Sequence, residues 1–355
     1  MKGLILSGGS GTRLRPLTYT SAKQLIPVAN KPVLFYGIEH LVEAGITEIG
    51  IVVGDTAAEI EAAVDDGSRW GADITYIRQD APLGLAHAVK ISGSFLGDEP
   101  FVMYLGDNIL RDGIKDFVDT FNAGSANAQI LAARVSEPQR FGVIELDGDR
   151  VIRVVEKPAD PPSDLALVGV YLFDHHIFDA IDTLAPSARG ELEITEAIQR
   201  LIDDDRTVHW QEVRGWWKDT GHVDDLLEAN RVVLCTLKRR IQGEVDAATR
   251  IDGEVVIEAG TTVTASVIRG PAVIGRNCHL ENAYIGPYTS LADGVRVVAA
   301  ELEHCIVLLD ARIEDLDGRI DTSLIGRQAH IFGTDAKPRA HRLMVGDGCS
   351  VGIGE

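Results

Sequence analysis

Leu4-Ile5-Leu6-Ser7-Gly8-Gly9-Ser10-Gly11-Thr12-Arg13-Leu14 opens the chain, and Ser21-Ala22-Lys23-Gln24-Leu25-Ile26-Pro27-Val28 follows it. A short apolar run that breaks into three glycines reads as a buried first strand delivering a loop suited to cradling phosphate. Glycines let backbone N–H groups approach an anion with no Cβ in the way. Arg13 adds a planar, permanently charged donor fork, and Arg15 and Lys23 add further cations. Two familiar glycine loops do not fit. A phosphate-binding loop of the G-x-x-x-x-G-K-[ST] type needs a Lys-Ser/Thr pair that is missing here. The dinucleotide fingerprint G-x-G-x-x-G fails because Leu14 stands where its third glycine belongs.

With 355 residues, 45% of them hydrophobic, the chain can build two domains with sizeable cores. The formal net charge of −20 argues against nucleic acid or an anionic membrane as the main partner. It leaves room for a small phosphorylated ligand, because clustered Arg and Lys outweigh the global field inside a cleft. Cys235, Cys278, Cys305 and Cys349 are far apart and form no C-x-x-C pair, so they read as small buried hydrophobes in a reducing cytoplasm. No signal-peptide core and no run of about eighteen apolar residues is present, so a soluble, cytoplasmic protein is expected.

To about Asn230, short apolar strands (3–6, 49–53, 74–77, 101–104, 128–134, 168–173) alternate with helical patterns (32–44, 56–65, 84–94, 192–203). This alternation predicts an α/β domain with a mostly parallel, Rossmann-like sheet, its ligands beyond the carboxyl ends of the strands. A helical connector at 225–242 follows, and then the pattern changes. Ile251, Ile268, Ile285 and Leu302 recur seventeen apart, as do Ile257, Ile274, Leu291, Leu308 and Ile325, with Val263, Leu280 and Val297 as a third series. Three apolar rungs per turn, kept in register over at least four turns, predict a hexapeptide-type parallel β-helix rather than a β-sandwich. The tail resembles the left-handed β-helix family. The expected division is a catalytic domain over 1–240 and a β-helix domain over 241–355.

The glycine loop and five further segments after it, in order, carry a resemblance: Lys23-Gln24-Leu25, Leu105-Gly106-Asp107-Asn108, Val155-Glu156-Lys157-Pro158, Gly190-Glu191-Leu192-Glu193-Ile194-Thr195 and Asp219-Thr220-Gly221. With these the chain resembles the sugar-1-phosphate nucleotidyltransferases, in particular their thymidylyltransferase branch, and the β-helix resembles that of its longer members. The resemblance implies attack by a sugar 1-phosphate oxygen on the α-phosphorus of a nucleoside triphosphate, with pyrophosphate displaced and no covalent enzyme intermediate. It implies dTTP and glucose 1-phosphate as substrates and Mg²⁺ as cofactor, with Asp107 and Asp219 as its ligands. Arg13, Lys23, Asp107, Lys157 and Asp219 are the implied catalytic set. Nucleotide binding is implied for Leu6, Gly8, Gly9, Gly11, Thr12, Gln79, Gly84 and Asp107. Sugar-phosphate binding is implied for Asn108, Gly142, Glu156, Lys157, Leu167 and Arg189. The glutamine amide of Gln79, having both a donor and an acceptor, complements the O4 and N3–H edge of thymine or uracil.

Leu83 and His87 depart from the Asp and Gln associated with shorter thymidylyltransferases, so UTP or ATP remains open as the triphosphate. Two other roles are weighed. Some relatives of this architecture are non-catalytic assembly subunits, but those lose the loop or the carboxylates that this chain keeps. Related β-helices carry acyltransferase activity, yet no cluster of catalytic His, Lys and Asn stands out on these coils. The β-helix is instead expected to mediate homo-oligomerisation.

Overall fold

The opening apolar run forms β1 (Lys2–Leu6), whose Leu4 and Ile5 are fully buried. The computed structural model describes residues 1–9, 11–15, 17–19 and 22–334. The chain divides into two units: Met1–Ser10, Ser21–Leu25 and Val33–Asp219 form the first, and Gly11–Thr20, Ile26–Pro32 and Thr220–Glu355 the second.

In the first unit β1 is followed by α1 (Val33–Glu43), β2 (Glu48–Val53), α2 (Ala57–Val64), β3 (Asp73–Arg78), α3 (Leu85–Ile91), β4 (Phe101–Leu105) and β5 (Asn108–Leu110). Then come α4 (Lys115–Ala123), β6 (Ala128–Arg134), β7 (Gly142–Asp147), β8 (Arg150–Glu156), β9 (Leu165–Phe173), α5 (His176–Asp182), α6 (Ile194–Asp203), β10 (Val208–Glu212) and β11 (Trp217–Asp219). Strands β3, β2, β1 and β4 pair in that order and are all parallel. Strand β9 runs antiparallel to β4 and also pairs with β6 and β7, while β8 closes a hairpin on β7 and β10 lies parallel to β6. The sheet is therefore mixed, with its parallel half where the strand–helix alternation is cleanest.

Alternation along each strand explains how both faces are covered. Leu4, Leu6, Phe101 and Met103 pack on one face with Val89 of α3, Ile177 of α5 and Ile198 of α6. Ile5, Val102 and Tyr104 pack on the other with Leu34 and Ile38 of α1, Ile60 of α2 and Phe117 of α4. Every residue of β9 is buried, as its unbroken apolar sequence LALVGVYLF requires of a strand covered on both sides. The six expected strands and four expected helices of this unit are all present, with ends differing by a few residues. The β7–β8 hairpin, α4, α5 and β10 were not legible, because their patterns are short or largely polar.

In the second unit, α7 (Val223–Leu234) leads into a parallel β-helix built of three sheets of six, six and five strands. Its all-parallel sheets are consistent with the left-handed β-helix read from the period. The rungs stack as expected: Ile251 on Ile268, Ile285 and Leu302, and Val263 on Leu280 and Val297. One rung differs from the expected series. Leu291 pairs with Val307, and Val307 with Ile325, so Val307 takes the place expected for Leu308. The coil from Leu291 is one residue short of the period and the next is one residue long, which a strict count of seventeen cannot reveal. Several corners use non-glycine residues at positive φ, among them Asn277, Asn282, Asp310 and Asp315, types whose short polar side chains tolerate that region.

Helix α7 packs on the first coils through Leu234, Val256 and Val273. Its Asn230 is fully buried and engaged at both ends, accepting from Ala29 N–H at 2.8 Å and Ser290 Oγ at 2.6 Å while donating to the Tyr288 carbonyl at 2.9 Å. Cys278 and Cys305 are buried in the coils, and burial pushes both thiols up to about 11. Cys235 is exposed at the end of α7, unlike the expectation, and Cys349 lies outside the described residues. The stretch 335–355 of the expected β-helix domain also lies outside them. Among the described residues no helix is long and apolar enough to cross a membrane.

Ile285 is fully buried between Ile268 and Leu302. Ile285→Ala is expected to cost about 2–5 kcal/mol, seen as a lower urea midpoint by circular dichroism, because a rung between two rungs cannot collapse into the void.

Candidate functional site

At the end of β1, Ser7 N–H donates to the Val52 carbonyl at 2.8 Å, holding the glycines at the carboxyl edge of the parallel strands. A Cβ at Gly9 would stand 3.3 Å from Lys23 Cε, and one at Gly8 would stand 3.1 Å from Gln79 Oε1. Glycine at these positions thus lets the lysine stem and the glutamine amide close on the main chain. Lys23 forms an ion pair with Asp107, whose side chain is only 16% exposed. Burial alone would raise the Asp107 carboxyl, but the Lys23 ammonium and hydrogen bonds from Lys23 and Asn108 hold it below its usual range. Asp107 is therefore a carboxylate at neutral pH.

Asn108, just after it, is 2% exposed and joins three pieces of chain. Its Nδ2 donates to Asp107 Oδ1 at 3.0 Å, while its Oδ1 accepts from Gly169 N–H at 3.2 Å and Trp217 Nε1–H at 2.5 Å. Antiparallel pairing of β5 with β11 sets Asp219 opposite Asn108, the residue that follows Asp107 in the chain. Two carboxylates with no thiolate or imidazole among them make a hard-oxygen set, which fits a divalent cation of the Mg²⁺ class. Asp174, His175 and His176 also bring three possible ligand atoms within 4.8 Å. Asp174 there is already engaged, accepting from His176 N–H at 3.0 Å and Asn127 Nδ2 at 2.8 Å at the start of α5.

The residues expected around a sugar phosphate also come together. Gly142 on β7 pairs with Glu156 on β8, and a Cβ at Gly142 would press to 2.7 Å from Thr195 Cγ2 and 3.0 Å from Leu167 Cδ1. Lys157 has a left-handed φ of 40° and its ammonium lies 3.3 Å from Glu156 Oε1. Arg189 bridges carboxylates, donating from Nη2 to Glu156 at 3.1 Å and to the buried Glu193 at 2.8 Å. Asn108, expected to bind here, spends its carboxamide on Asp107, Gly169 and Trp217.

On the β3 side, Gln79 Nε2 donates to the Gly84 carbonyl at 3.3 Å and lies 3.1 Å from His87 Nδ1. Gly84 has a φ of 103°, and a Cβ there would lie 2.4 Å from the Leu192 carbonyl oxygen. Leu192 N–H donates to the Leu83 carbonyl at 2.8 Å, so this close approach is built in. In the second unit, Gly11 (φ 63°) precedes the 3₁₀ turn Thr12–Leu14, and the exposed Arg13 donates from Nη1 to His222 Nε2 at 3.2 Å. Ser10 and Ser21 of the quoted motifs lie outside the described residues.

Sequence reasoning missed several participants. Trp217 and His222 act on predicted residues through side-chain bonds that no local pattern announces, while His87, Glu193 and Thr195, though in segments the sequence singled out, were given no part in holding Gln79, Arg189 and Glu156. Gln24, adjacent to Lys23, could have been found: it is 1% exposed, and its Oε1 and Ser7 Oγ are buried without a hydrogen-bond partner among the described residues. Two orphaned polar atoms beside the glycines are what a polar ligand would satisfy.

The carboxyl edge of the parallel strands thus carries glycines beside a buried lysine–carboxylate pair, and residues 2–235 match the family model described as nucleotidyl transferase. The chain belongs to the nucleotidyl transferase family. It is 53% identical to a glucose-1-phosphate thymidylyltransferase of Streptomyces antibioticus over 99% of both chains. It is 46% identical to the low-salt glycan biosynthesis nucleotidyltransferase Agl11 of Haloferax volcanii over 98% of both. Among solved structures, a candidate glucose-1-phosphate thymidylyltransferase of Bacillus anthracis in complex with sucrose matches with a TM-score of 0.62 and 36% identity, over 65% of this chain and 94% of that one.

Asn108→Leu keeps the branched heavy-atom outline but strips two donors and one acceptor of their partner. The expected loss is about 2–4 kcal/mol in the unfolding free energy measured by denaturant titration.

Proposed function

We propose that this protein transfers a thymidylyl group from dTTP to glucose 1-phosphate, forming dTDP-glucose and pyrophosphate with Mg²⁺ as cofactor. The observation that carries the reading is the buried Lys23–Asp107 pair beside Gly9, with Asp219 set opposite the adjoining Asn108. The near full-length likeness to a relative bearing that activity's name supports it.

Two anions must meet for this reaction, so the site's work is positioning and charge neutralisation. Leu6, Gly8, Gly9, Gly11 and Thr12 would line the triphosphate with main chain, and Gln79 and Gly84 would meet the base. Lys23 offers the phosphates a point charge whose resting partner is Asp107. Arg13, oriented by His222, would take charge growing on the departing pyrophosphate. Asp107 and Asp219 would hold the Mg²⁺, which neutralises phosphate charge when bound. Glu156 and Lys157, with Gly142, Leu167 and Arg189 around them, would seat the sugar phosphate: Lys157 against its phosphate and Glu156 against a hydroxyl. Asn108 would serve by fixing Asp107. The β-helix would support self-association, and a cytoplasmic location would fit the substrates.

A matrix of dTTP, UTP and ATP against sugar 1-phosphates, read by pyrophosphate release, tests the proposal. Turnover is expected to be highest for dTTP with glucose 1-phosphate; none with any pair would overturn the enzyme reading. Arg13→Ala and Lys23→Ala are each expected to lower kcat by about 100-fold or more with a smaller change in KM, since the lost donors act on charge that develops late. Chelation of divalent cations should abolish turnover and added Mg²⁺ restore it, with Asp219→Asn needing far more Mg²⁺ for half-maximal rate.

A further inference from the structure

We infer that His87 decides which pyrimidine this protein accepts, by locking the Gln79 carboxamide so that only its oxygen is left to read the base. The inference deepens the thymidylyl reading above and rests on it for the placement of the base at Gln79.

A glutamine amide can face either way, and its two ends carry opposite information. Here the main chain removes the ambiguity. The Gly84 carbonyl lies 3.3 Å from one end of the amide and can only accept, so that end is the N–H₂ group. Its second proton then points at His87 Nδ1, 3.1 Å away, which must be the unprotonated nitrogen of a neutral ring. Both amide protons are spent inside the protein. What remains is Oε1, on the Gly8 side, 3.1 Å from where a Cβ at Gly8 would stand. This narrows the expectation that the amide would supply a donor as well as an acceptor to the base.

An acceptor alone reads a ring N–H. Thymine and uracil present N3–H and satisfy it, whereas cytosine presents a lone pair at N3 and meets oxygen with lone pair. The Gly84 end of the clamp is fixed by the close approach of the main chain to Leu192, so it cannot follow the amide if it turns. His87 is the half of the clamp that a side chain supplies. It touches no substrate in this scheme and acts through Gln79, as a positioning residue.

Steady-state kinetics with dTTP and dCTP on the unaltered protein, His87→Phe and His87→Asn test this. The unaltered protein is expected to favour dTTP by about 100-fold in kcat/KM, as a site built for one hydrogen-bonding pattern rejects the other. Without the acceptor, His87→Phe should narrow that ratio about tenfold, through KM for dTTP and with kcat within about threefold, the size of one mispaired hydrogen bond. The Asn oxygen can stand in for Nδ1, so His87→Asn should restore the ratio. His87→Ala carries the same expectation as His87→Phe should the larger ring prevent folding. A separate measurement needs no variant: N3-methyl-dTTP, which lacks the proton to be read, should compete with dTTP at least about tenfold more weakly than dTTP itself binds. An unchanged dTTP:dCTP ratio in His87→Phe or His87→Ala, or equal competition by N3-methyl-dTTP, would overturn the lock while leaving the thymidylyl reading intact. Absence of dTTP turnover in the unaltered protein would overturn both.

Discussion

One buried carboxamide organises the first unit. Asn108 sits where β4 has just ended, and within its few atoms it joins the carboxylate of Asp107, the main chain of β9 at Gly169 and the indole of Trp217 on β11. Each of these groups would be costly to bury unpaired. Meeting all of them with one side chain fixes the distance between the parallel half of the sheet, its antiparallel half and the small β5–β11 ribbon. Asp219 stands opposite Asn108 because that ribbon is in register, and Asn108 ties the ribbon to Asp107. Gly169 shows how tight the joint is: a Cβ there would fall 2.8 Å from Asn108 Oδ1.

The buried charges follow from this arrangement. Asp107 has one oxygen on Asn108 and the other on Lys23, so it carries a full negative charge in a place poorly reached by water. A protein of formal charge −20 that handles polyanions must concentrate its cations locally. It does so with partners already in place. Lys23 rests on Asp107, Arg189 on Glu156 and Glu193, and Lys157 on Glu156. Side chains held this way lose less freedom when an anionic ligand replaces the resting partner, which is the physical meaning of preorganisation here.

The parts of this molecule that could be read from its sequence share one property: they repeat or they are local. The alternation of apolar strands with amphipathic helices located the parallel half of the sheet, and the seventeen-residue spacing located the β-helix. The glycines with Lys23, Asp107 and Asp219 were visible as motifs. The unread part consists of partnerships over long separations. Trp217 and Asn108 are 109 residues apart, and Arg13 and His222 are 209 apart; nothing in either neighbourhood signals the other. The β7–β8 hairpin was missed for a different reason: its strands carry Glu145, Asp147, Arg150 and Arg153 among the apolar residues, and a half-exposed strand pattern is easily lost among charged turns.

The short coil after Leu291 and the long one that follows it show what the β-helix actually conserves. Rungs on either side remain stacked although neither coil has the standard length. The fold therefore fixes which rung each rung meets rather than the number of residues between them: Leu302 reaches Ile320 with one residue more than Ile285 needs to reach Leu302, and the strands still pair in register. A solenoid with that tolerance can drift in local length over evolutionary time while its core stays closed, and its corners are free to change where its rungs are not.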